Sequence, residues 1–239
     1  PPVSHWITFW VGLLLGMSAC LMLVLALVVH YAVNSLSIIE THMSAVLPIY
    51  RSTGLIILHI WFWGICVYIY AYKRINHTFI FEVNPRTELK FTHICTFAAV
   101  LTVCWFGALV LYLSASLVQD SNNWEGLDPV WIPFTLFILM WTIALCPLNI
   151  LFRSTRYFLL STIGNIITAP MSVVNFRDIF VGDQFCSLVN VFNDICYEIC
   201  FYTTSSFLTS SPSQCANVTN NNAVWVLAFL PYYWRLMQW

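Results

Sequence analysis

Hydrophobic residues in this chain run rather than alternate. Six stretches, roughly residues 6–33, 54–72, 93–118, 129–151, 180–205 and 223–239, are apolar almost throughout, with polar connections between them. Each is near or above the ~20 residues a helix needs to cross the hydrocarbon of a bilayer. The last is marginal and reads as continuing past Trp239. In lipid the backbone must satisfy its own hydrogen bonds, so uninterrupted apolar runs of this length predict helices. The expected fold class is all-α: a polytopic membrane protein with about six transmembrane helices in this stretch. The first run is too long for a cleaved signal peptide and lacks a basic flank.

Segment 152–179 breaks the pattern. It is moderately apolar but holds Arg153, Arg156, Gly164, Asn165, Pro170, Asn175 and Arg177. Residues 156–168 read as an amphipathic helix lying on the cytoplasmic face, ended by Pro170. The domain boundary is placed here. Residues 1–152 form a four-span bundle; residues 153–239 form the amphipathic segment and two further spans.

Composition sharpens this. Of 239 residues, 60% are hydrophobic and only 8% charged, against roughly 25% charged in soluble domains. The few basic residues orient the chain. Lys73, Arg74, Arg86 and Lys90 follow the second span, and Arg153, Arg156 and Arg177 follow the fourth, which accounts for seven of nine. The loop after the third span carries only Asp120, Glu125 and Asp128, and the loop after the fifth carries no charge. The N-terminus and the basic loops are therefore expected in the cytoplasm. On that assignment Asn76-His77-Thr78 stays bare, whereas Asn217-Val218-Thr219 faces outward as a glycosylation acceptor. Cys200 and Cys215 share the outer side, as a disulfide or as two free thiols. The chain begins Pro1-Pro2 rather than with Met, and stops inside an apolar segment, so it reads as a piece of a longer protein.

The candidate chemistry lies in the fifth span. Asp183, Ser187, Asn190 and Asp194 are spaced i, i+4, i+7, i+11, which puts them on one helical face. Glu198 lies within about 60° of that face. An acid at the bilayer centre costs roughly 2.5–3.5 kcal/mol, and such residues mark solute or proton pathways. Either the stripe lines a polar path, or the aspartates cap helix ends and pair with structural arginines. Arg235, the only basic residue of the last span, offers a planar fork suited to oxyanions, or it marks the inner interface beside Trp234 and Tyr232. Acids alone suit a cation or proton. An anionic substrate needs arginines or lysines from other helices, and this chain is expected to supply too few. No nucleophile–base pair, phosphate loop, nucleotide fingerprint or zinc motif is present. The sequence therefore suggests no enzyme, no cofactor, no metal and no nucleic-acid partner.

These residues resemble the SPX–EXS family of phosphate exporters, which includes the xenotropic and polytropic retrovirus receptor and the plant phosphate exporters. The matching stretches are Ile49-Tyr50-Arg51, Asn76-His77, Ile80-Phe81-Glu82-Val83-Asn84-Pro85-Arg86, Thr168-Ala169-Pro170 and Phe176-Arg177-Asp178. They continue with Gly182-Asp183-Gln184, Ser187-Leu188, Ile199-Cys200-Phe201-Tyr202 and the Pro231, Trp234-Arg235 and Gln238 ending. The resemblance implies a membrane exporter of inorganic phosphate with about ten spans. It also implies homodimerisation through the first four, and regulation by inositol pyrophosphates through an SPX domain absent here. It implies that Asp183 lines the path, that Arg235 is the arginine of the family's tryptophan–arginine ending and a candidate on the path, and that Cys200 and Cys215 form a disulfide. Cys186 stands where the retrovirus receptor has an asparagine, so the resemblance gives it a place on the path without that side-chain contact. The expected partners are inorganic phosphate and the lipid of a plasma membrane or endomembrane. Two other functions fit the stripe: a proton- or cation-coupled carrier, and a receptor or scaffold.

Overall fold

The computed structural model describes residues 5–32, 36–83, 88–122, 128–148, 153–169, 171–204, 215 and 222–239. These form helices α1 (His5–Ala32), α2 (Leu36–Tyr72), α3 (His77–Ile80), α4 (Phe91–Asn122), α5 (Trp131–Leu145), α6 (Arg153–Ile167), α7 (Phe176–Ser187), α8 (Val189–Thr203) and α9 (Asn222–Met237). The chain is an all-α membrane protein. Thr8–His30, Met43–Tyr72 and Phe91–Val118 are long and apolar enough to cross a bilayer. Trp6, Phe9, Leu13, Leu23 and Leu27 of α1 are exposed, as expected of a helix bathed in lipid rather than water.

Helices α1 and α2 both pack along α4, and α2 also packs on α8. Val46, Ile49 and Tyr50 of α2 meet Leu109, Tyr112 and Leu113 of α4 and Leu136 of α5 in one core. Trp105 Nε1 donates to Tyr50 O at 3.0 Å, and Tyr50 OH donates to Ala108 O at 3.0 Å. Gly54 admits this approach, since a Cβ there would lie 3.2 Å from the Trp105 ring. Helix α9 packs on α7 and α8, so α8 is clasped between α2 and α9.

Four boundaries differ from the hydropathy reading. The second span begins well before residue 54, because α2 continues through Pro48, Arg51, Ser52 and Thr53. These polar residues do not mark a loop: Ser52 and Thr53 Oγ atoms lie 2.9 and 2.8 Å from Ile49 O, the usual way a helix absorbs hydroxyls, and Arg51 is paired. The fourth span is short. Helix α5 has 15 residues, about 22 Å, against a hydrocarbon core of about 30 Å. Its C-terminal carbonyls meet Arg156 of α6, whose guanidinium donates to Ile143 O, Cys146 O and Leu148 O at 2.8, 2.7 and 3.0 Å. A cation is favoured at that end of a helix. The amphipathic helix covers Arg153–Ile167 rather than 156–168, and Pro170 lies outside the described residues.

The fourth difference matters most. The fifth span is not one helix. It breaks at Leu188, with φ −96° and ψ 15°, in the sparsely populated bridge region. The Leu188 N–H bonds both Gln184 O and Phe185 O, at 3.0 and 3.1 Å, the shared bond of a helix end. Each half follows a different partner: α7 lies with α6 and α9, and α8 with α2 and α9.

Candidate functional site

The break divides the polar stripe. Asp183, Ser187 and Asn190 are exposed, whereas Asp194 and Glu198 are buried. The five therefore do not form one accessible face, and the helix break at Leu188 falls between Ser187 and Asn190.

Asp194 is 3% exposed and faces α2. Arg51 grips it with both prongs, Nε to Oδ2 at 2.8 Å and Nη2 to Oδ1 at 2.6 Å. A bidentate fork is the strongest form of this contact. One turn on, Glu198 is 0% exposed, and its Oε1 is in hydrogen-bond contact with Ser52 Oγ. Tyr197 OH completes the α2–α8 seam by donating to Ala45 O at 2.9 Å.

Asp183 makes a different pair. Arg235 of α9 donates through Nε to Asp183 Oδ1 at 2.5 Å, with 55% of the Asp183 side chain and 24% of the Arg235 side chain exposed. The guanidinium lies over the Trp239 ring, 5.8 Å from its centroid. Its two terminal nitrogens donate to no group among the described residues. Asp183 Oδ2 is likewise unpaired among them. A guanidinium with two uncommitted nitrogens can offer an oxyanion two bonds at once.

Helix α9 is pinned here by Gln238. Its Nε2 donates to Asp178 O at 3.1 Å, and its amide lies so close to Gly182 that a Cβ there would meet Oε1 at 2.8 Å. Phe185 and Trp234 pack beside the pair, with ring centroids 6.4 Å apart. Helix α7 is started by Asp178, whose Oδ2 accepts from Asn175 N at 3.0 Å, half of a capping box. Asn175 Nδ2 in turn donates to Glu82 at 3.0 Å, tying α7 to the segment after α3.

A family model described as the EXS family matches residues 46–239. This chain belongs to the EXS family. Phosphate transporter PHO1 homolog 1 of Arabidopsis thaliana is 33% identical over 243 residues, covering 98% of this chain and 30% of the relative. Phosphate transporter PHO1-1 of Oryza sativa subsp. japonica is 30% identical over 240 residues, covering 98% and 29%. SPX and EXS domain-containing protein 3 of Dictyostelium discoideum is 35% identical over 204 residues, covering 83% and 21%. The EXS chain thus spans under a third of the length of these relatives.

Against the sequence expectations, the EXS chain supplies one arginine for each of Asp183 and Asp194. The shortage of cations expected from counting is overturned for those two acids. Ser187 Oγ donates back to Asp183 O at 3.3 Å, and Cys186 is half-buried on α7. Cys200 and Cys215 are joined as a disulfide, and Cys215 is buried with Ala45, Tyr197 and Phe201. Asn217 lies outside the described residues. Arg51 and Ser52 were missed as site residues. Their signal was available: an arginine followed by two hydroxyls, within helical reach of an otherwise apolar run.

Proposed function

We propose that this chain is part of a membrane exporter that moves inorganic phosphate out of the cytosol, with its path running beside the Asp183–Arg235 pair. The observation that carries the reading is the half-used guanidinium of Arg235. One nitrogen is held by Asp183, and two have no protein partner among the described residues. Phosphate suits that fork, because two of its oxygens accept from one guanidinium plane. Asp183 holds the arginine in place and offsets its charge, so that the anion binds without being trapped. Arg51 offers less, since it gives two of its three nitrogens to Asp194, whereas Arg235 gives one to Asp183. We therefore assign Asp194 to holding α8 on α2, and leave Asp183, Ser187, Asn190 and Arg235 on the path side, with Cys186 beside them. The printed names of the plant relatives, phosphate transporters, point to the same solute.

Three further assignments belong to this reading. The N-terminus faces the cytoplasm, the protein works as a homodimer, and an SPX domain in the full-length protein answers to inositol pyrophosphates. Phosphate efflux from cells expressing the full-length protein tests the central one. Arg235→Ala and Asp183→Ala, at matched surface abundance, are expected to lower efflux by roughly tenfold or more, the value of one charge-assisted hydrogen bond. Arg235→Lys is expected to recover little, because ammonium lacks the fork. Undiminished efflux from both alanine variants would move the path elsewhere.

A further inference from the structure

Glu198 is not absorbed by this function. It is fully buried in the α2–α8 seam. Its Oε1 contacts Ser52 Oγ, and its Oε2 is buried with no hydrogen-bond partner among the described residues. The charged groups around it are already committed. From α2, Arg51 gives both donors it uses to Asp194. From α8 itself come Asp194, a like charge one turn away, and Tyr202, whose OH donates to Val130 O at 3.2 Å. Helix α9 packs on α8 as well, but its one cation, Arg235, is on Asp183, and its Tyr232 and Tyr233 are exposed. The charged groups of α7 are Arg177, Asp178 and Asp183; Arg177 lies 3.5 Å from Asp178.

A buried carboxylate with one neutral donor and one orphaned oxygen is costly, whereas the neutral acid is not. Hydrogen bookkeeping points the same way. Ser52 has a single hydroxyl proton, yet its Oγ lies 2.9 Å from Ile49 O and also contacts Glu198 Oε1. Both contacts become hydrogen bonds when Glu198 brings its own proton and donates it to Ser52.

We propose that Glu198 is a proton-binding site of the membrane domain, loaded in this conformation through an O–H donated to Ser52. Loss of the proton would leave a second carboxylate, i+4 from Asp194 on α8, facing only the Ser52 hydroxyl across the α2–α8 seam. The seam between α2 and α8 is therefore tied to proton occupancy. Acids in this setting serve as proton relays in membrane transporters.

Infrared difference spectroscopy of the full-length protein in phosphatidylcholine vesicles tests this without any transported solute, so its failure is separate from failure of the phosphate reading. The wild type should show the C=O stretch of a protonated carboxylic acid, shifted in deuterated water and lost in Glu198→Gln. In Ser52→Ala the band should remain and move to higher frequency, because the acid has lost its acceptor. If Glu198→Gln fails to assemble, the Ser52→Ala shift decides alone. A wild-type spectrum with no band lost in Glu198→Gln, or no shift in Ser52→Ala, overturns the proposal.

Discussion

At the residue scale, two arginine–aspartate pairs of the same chemistry sit in different surroundings. Asp194 is buried and gripped by two bonds, whereas Asp183 is open and held by one. Asp194 is buried while the Arg51 side chain is half exposed, so removing Arg51 leaves a buried carboxylate without its donors, at about 1–3 kcal/mol, while replacing both partners with apolar groups is often near neutral. Arg51→Met alone is therefore expected to destabilise the full-length protein by about 1–3 kcal/mol at Asp194. The double variant Arg51→Met with Asp194→Leu should recover most of that loss. Thermal unfolding in detergent checks both, and a double variant no better than the single one would show that the charge is not the cause. Asp183 and Arg235 were legible as candidates from type and position. The division of roles was not, because it depends on which acid α2 covers.

At the element scale, the chain is arranged by which helix each half of the broken fifth span follows. Hydropathy sees one apolar run across 180–205, since Leu188 and Val189 are as apolar as their neighbours. The break is a matter of backbone angles and of packing against two different sets of helices, and neither leaves a trace in the run. The C-terminal end of α8 is secured by the Cys200–Cys215 bridge, which closes a loop across a separation of 15 residues. A loop of that size contributes about 3 kcal/mol in the chain-entropy account. Cys215→Ser is expected to lower the unfolding temperature of the full-length protein by several degrees. Reductant should lower the wild type to the same level and leave the variant unmoved.

At the scale of the whole molecule, the basic loops predict a cytoplasmic N-terminus, and glycan mapping tests it. Asn217 stands in the loop expected outside, and its glycan should vanish in Asn217→Gln as a single downward gel shift. Asn76→Gln should leave the gel pattern unchanged. Asn76 is engaged in any case, since its Oδ1 accepts from Phe79 N at 3.2 Å and from Thr78 Oγ1 at 2.6 Å. A glycan on Asn76 would invert the orientation. The sequence by itself determined the all-α class, the membrane setting, the family and the residue types of the site. These rest on run length, composition and local motif, which are properties of neighbours along the chain. The tertiary structure decided where α2 begins, that the fifth span is two helices, and that Arg51 and Ser52 meet Asp194 and Glu198 across more than 140 positions of sequence. Such pairings depend on which helix faces are brought together, and in a membrane the polar groups of one helix are settled by the polar groups of the next.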